Sequence, residues 1–78
     1  MILPIHDLMD IIISGEIIMV FYLGENQHPQ CRYLEIDSDH EIGLYEKILL
    51  NREMTGRILE MIIYGDDYEI IRVIYMII

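Results

Sequence analysis

The sequence predicts an α+β fold. A single small domain over residues 1–78 is expected, with about four mainly antiparallel strands and two short helices against one face, in the order helix, hairpin, helix, hairpin. Three observations carry this. The chain is 78 residues long, room for one domain that hides only about 60% of its unfolded surface. Its apolar residues switch between helical spacing and the runs and alternations of strands. Its last third pairs well with itself about a turn at Gly65-Asp66-Asp67.

The opening segment carries Ile5, Leu8, Met9, Ile12 and Ile13 at helical spacing, one stripe along a helix. Pro4 suits a first turn, Asp7 and Asp10 suit the positive N-terminal half, and Ser14-Gly15 supplies the stop, with Gly15 free to adopt a left-handed conformation. Ile17 to Leu23 is a nearly unbroken apolar run. It reads as a central strand covered on both sides, or one whose second face meets another chain. The stretch 24–30 reads as a long hairpin loop. Beyond it Cys31 to Asp37 alternates, Leu34 and Ile36 pointing one way, Tyr33, Glu35 and Asp37 the other. Ser38-Asp39-His40-Glu41 has the form of a capping box, and Ile42, Tyr45, Ile48 and Leu49 keep helical spacing behind it. That helix is expected to be short, with Gly43 inside it, and to end near Asn51.

In the last third, a loop at 65–67 sets Tyr64 opposite Tyr68, Ile62 opposite Ile70, Glu60 opposite Arg72 and Ile58 opposite Ile74. The other face then pairs Met61 with Ile71 and Leu59 with Val73. Cross-strand pairs of this kind contribute roughly 0.2–1 kcal/mol each. In this register the helices cover Leu59, Met61, Ile71 and Val73, while Ile58, Ile62, Ile70, Ile74 and Met76 face away. An apolar face left over marks a partner site, and a homodimer is the plainest way to bury it.

Composition narrows the function classes. Fourteen Asp and Glu against five Lys and Arg give a formal charge of −9. That argues against direct nucleic-acid binding, which needs a basic surface. A single cysteine excludes an intrachain disulfide and favours a reducing, cytoplasmic compartment. The first basic residue is Arg32, so no charged leader is expected, and no apolar run approaches the roughly 20 residues of a membrane span. Eighteen isoleucines and no alanine also point to an A/T-rich source genome.

Leu8-Met9-Asp10-Ile11-Ile12, the run Gly15 to Tyr22, Leu49-Leu50-Asn51-Arg52-Glu53-Met54 and the closing isoleucine-rich hairpin resemble small uncharacterised phage and mobile-element proteins. The resemblance spans most of the chain. It implies a mobile-genetic-element origin of anti-defence, anti-CRISPR-like character. It implies no defined activity and carries no functional residue across.

No constellation for chemistry stands out. His28 and Cys31 form H-x-x-C, one ligand pair where a zinc site wants two, so no metal or cofactor is expected. Ser14 and Ser38 are explained as cap residues, and His6 and Asp7, adjacent in sequence, would point to different sides of a helix. No enzyme is expected. What remains is the distribution of carboxylates: Glu35, Asp37, Asp39, Glu41 and Glu46 in one run, Asp66, Asp67 and Glu69 in a second. Along a strand, Glu35 and Asp37 would sit about 6.6 Å apart, a spacing comparable with successive phosphates. The leading expectation is a small acidic binding protein, DNA-mimic-like, that inhibits or modulates a host protein with a basic surface, such as a CRISPR nuclease. The alternative is a structural or accessory subunit that assembles through its apolar sheet face, its charge serving only solubility. A metal protein or enzyme using Cys31 with the histidines is the third.

Overall fold

In the computed structural model, residues 1–51, 54 and 57–76 are described. Strands take 49% of the structure and helical segments 22%, so the protein is mostly β, which corrects the expected four-strand, two-helix arrangement. Among the described residues seven strands form two sheets. The main sheet contains β1 (Ile2–Leu3), β3 (Ile17–Leu23), β4 (Pro29–Glu35), β6 (Arg57–Tyr64) and β7 (Ile70–Met76). Their order across the sheet is β1-β7-β6-β3-β4, antiparallel except where β1 lies parallel to β7. A ribbon of β2 (Ile12–Ile13) with β5 (Ile42–Gly43) forms the second sheet, and α1 (Leu44–Leu50) follows it directly.

The expected opening helix is a 3-10 segment, Ile5–Asp10, that stops before the isoleucines. Ile12 and Ile13 instead pair with Gly43 and Ile42, a use to which stiff β-branched side chains are better suited. This long-range partner is invisible to local periodicity. His6 and Asp7 do not diverge as on an α-helix: His6 Nε2 lies 3.3 Å from Asp7 Oδ1 on the exposed surface. The capping box is not formed. The N-cap of α1 is Gly43, with no side-chain cap, and residues 37–40 make a turn closed by His40 N–H to the Asp37 carbonyl at 3.1 Å. The helix ends where expected, with Asn51 as its C-cap.

The 3-10 segment, the ribbon and α1 all lie over one face of the main sheet. There Leu8, Ile13, Leu44 and Ile48 close over Ile18, Val20 and Tyr22 of β3, Leu34 of β4, Ile58, Met61 and Ile63 of β6, and Ile74 of β7. Ile36, just past β4, completes this core, its N–H bonded to the Glu16 carbonyl. Gly15 takes the left-handed conformation (φ 64°) that turns β2 into β3.

The closing hairpin exists, but not in the expected register. Its turn is Asp66-Asp67-Tyr68, closed by Gly65 N–H to Glu69 O at 2.9 Å and Tyr68 N–H to Gly65 O at 3.0 Å. The left-handed place falls to Tyr68, φ 59°, where glycine is the usual residue. Gly65 has another reason: a Cβ there would collide with the Glu69 carboxylate, which accepts from Asp67 N–H. Past the turn Tyr64 faces Ile70, then Ile63 faces Arg72, leaving Ile71 as a bulge. Ile62 therefore opposes Val73, Met61 opposes Ile74, and Glu60 opposes Tyr75, not Arg72. A second bulge at Leu59 carries Ile58 to the covered face opposite Tyr22.

An odd shift exchanges the two faces of a strand. So Ile74 (0% exposed) and Ile58 (7%) belong to the core, not to an outward interface, while Val73, expected beneath the helices, lies on the other side. Met76 also packs against the core.

Candidate functional site

The uncovered face of the main sheet follows from the registers. Opposite residues give one row Tyr33–Met19–Ile62–Val73 and a second Cys31–Phe21–Glu60–Tyr75. A third row, Glu35–Ile17–Tyr64, lies at the end of the sheet where β3 begins and β4 and β6 finish. None of Ile17, Met19, Phe21, Ile62 or Val73 belongs to the buried cluster or packs against it. Of the residues expected on the outward apolar face, Ile62 is there and Ile70 is exposed beside the turn (60%), whereas Ile58, Ile74 and Met76 are withdrawn from it. In the covering layer Ile5, Met9, Ile12 and Leu49, which helical periodicity would have turned inward, are exposed, and so is Leu50.

The acidic residues gather at that same end. A groove of about 530 Å³ is lined by Glu35, Asp37, Glu41 and Glu46, together with His40 and Lys47, over a floor that includes Ile36 and Ile42. Consecutive segments build it. β4 delivers Glu35, the turn after it presents Asp37, Glu41 follows that turn just before β5, and the first turn of α1 supplies Glu46. Because β4 ends at Glu35 and Asp37 enters a turn, the expected strand-borne row of carboxylates at phosphate spacing does not continue. The charges surround a concavity instead. Asp39 is exposed in the turn but is not part of the lining.

The second acidic run is brought to the same neighbourhood by the hairpin. A Cβ built on Gly15 would meet Ser38 at 3.5 Å and Asp66 Oδ1 at 4.0 Å, so the turn at 66–68 stands next to the turn after β4. Asp67 is exposed at the tip, while Glu69 is engaged within the hairpin by accepting from Asp67 N–H at 2.9 Å. Glu16, whose main chain binds Ile36, has a buried Oε2 with no hydrogen-bond partner.

Beside the acidic groove lies a smaller cleft of about 320 Å³, lined by Ile17, Tyr33, Glu35, Tyr64 and Tyr68. Glu35 belongs to both concavities and joins them. Sequence reasoning paired Tyr64 with Tyr68 across a hairpin but did not bring Tyr33 to them; the alternation that turned Tyr33 outward with Glu35 was the available signal.

Cys31 is exposed on β4 and His28 lies exposed in the preceding loop. Among the described residues no group of three His, Cys, Asp or Glu side chains could hold a metal ion, and no helix is long and apolar enough to cross a membrane. No protein-family model matches the chain, and neither a curated protein nor a solved structure matches it.

Proposed function

We propose that the protein is a binding protein that captures a basic surface on a partner protein, acting by occupation rather than by chemistry. The convergence of Glu35, Asp37, Glu41 and Glu46 on one groove carries this reading. Carboxylates spread only for solubility need not converge, whereas a concavity whose four carboxylates outnumber its one lysine concentrates a cationic partner and speeds the encounter. With the charge of −9, an enzyme that handles nucleic acid through a basic channel is the class of partner such a groove suits, and inhibition or modulation follows from blocking that channel. The phage-like resemblance of the sequence supports the same direction.

The test is binding to a purified RNA-guided nuclease with its nucleic-acid channel vacant, at low and high salt. The complex should weaken steeply with salt, be displaced by the enzyme's own nucleic acid, and be lost on joint neutralisation (Asp37→Asn, Glu41→Gln, Glu46→Gln). Binding indifferent to salt and to neutralisation would remove the proposal.

A second reading is favoured by the apolar row Tyr33–Met19–Ile62–Val73: assembly into a homodimer or with a structural partner through the uncovered sheet face. Its test is the mass in solution of the wild type against Met19→Glu and Ile62→Glu. Ile74→Glu would not serve, because Ile74 lies in the core.

A further inference from the structure

The tyrosine cleft has a chemistry of its own, separate from the general negative field. Tyr33 and Tyr68 are 61% and 74% exposed, a large apolar area that the core does not use. Their positions are fixed by different elements: Tyr33 by β4, Tyr64 by the end of β6, Tyr68 by the hairpin turn. Ile17 forms the floor between Tyr64 and Glu35, which oppose it from the two neighbouring strands. Tyr68 stands at φ 59°, where a bulky residue is strained and glycine would be at ease. The tyrosine there lines the cleft at a cost to the turn, so it contributes to the cleft and not to the stability of the hairpin.

From this geometry we propose that the cleft lined by Ile17, Tyr33, Glu35, Tyr64 and Tyr68 binds the guanidinium of an arginine side chain presented by the partner protein. Aromatic faces attract a cation through their quadrupole, and a planar guanidinium both stacks on such faces and pairs with a carboxylate through parallel N–H donors. Glu35 supplies that carboxylate at the wall the cleft shares with the acidic groove. At about 320 Å³ the cleft has room for a guanidinium and the methylenes that carry it. The inference rests on the reading of the chain as a captor of a basic partner, and names the residue type that anchors it.

The experiment is an NMR titration of the intact chain with a short acetylated arginine peptide, its citrulline counterpart of equal shape and no charge, and its lysine counterpart. Saturable shifts of the ring resonances of Tyr33, Tyr64 and Tyr68 are expected with arginine, weaker ones with lysine and none with citrulline. Tyr68→Gly should reduce arginine-peptide affinity about fivefold or more while holding or raising the melting temperature, and Tyr68→Phe should retain most of the binding. The neutralised groove variant, with Glu35 and the three tyrosines intact, should still bind the peptide although it no longer holds the nuclease. Ring shifts as large with citrulline, lysine binding as well as arginine, or Tyr68→Gly binding like the wild type would each overturn the proposal. If the groove variant releases the nuclease while Tyr68→Gly does not, the cleft assignment fails and the groove reading survives. If only the peptide binds, the reverse holds.

Discussion

The two faces of the main sheet are built from the same strands and nearly the same residue types, yet they meet different surroundings. On one side Ile18, Val20, Met61, Ile63 and Ile74 are closed in by Leu8, Ile13, Leu44 and Ile48. On the other, Ile17, Met19, Phe21, Ile62 and Val73 are only half-buried by each other, with Glu60 and Tyr75 among them. The covered face is where apolar burial stabilises the fold. The uncovered face buries its side chains less completely and ends in the tyrosine cleft and acidic groove. A small chain that carries so much isoleucine divides it between a core and a surface available to a partner.

Substitutions sharpen this contrast, beginning with the largest effect. Met61→Ala should cost about 2–5 kcal/mol in urea unfolding, since it opens a cavity in a fully buried site. Its neighbour Ile62→Ala, on the uncovered face, should cost less than about 1 kcal/mol in the same measurement. Equal losses would mean that both faces are packed. Gly65→Ala should destabilise by about 1 kcal/mol, because the new methyl displaces the Glu69 carboxylate from Asp67 N–H, and hydrogen exchange at that amide should accelerate. The smallest effect has the opposite sign. Tyr68→Gly should stabilise the chain by about 0.5 kcal/mol, the relief of a left-handed tyrosine set against the greater freedom of an unfolded glycine.

Much of the sheet was legible in the sequence. The apolar run Ile17 to Leu23 is the strand between β4 and β6, the alternation at Leu34 and Ile36 gave the buried side of the next segment, and the last third does fold back as two strands. What escaped was non-local or depended on parity. Ile12 and Ile13 leave the helical stripe because Ile42 and Gly43 lie across from them, and Ile2 and Leu3 find parallel partners at Tyr75 and Met76, far along the chain. The bulges at Leu59 and Ile71 have no glycine to announce them. The second alone reverses which side chains of β7 face the core, and with them the residues expected at an interface. The run of carboxylates was legible because they lie within one short stretch of chain, but their arrangement around a groove was not, since it depends on β4 ending at Glu35. The cleft was not, since Tyr33, Tyr64 and Tyr68 come from segments that only the sheet order brings together.

The division between the two faces is tested most directly by placing one charge on neighbouring residues of β7. Thermal unfolding of Val73→Asp and Ile74→Asp compares a half-buried position on the uncovered face with one that is 0% exposed in the core. Val73→Asp should fold and melt within a few degrees of the wild type, and Ile74→Asp should fail to fold or melt far lower, because a carboxylate would be buried without a partner. The opposite ranking would restore the register in which Val73 lies under the covering layer, and with it a different surface for binding.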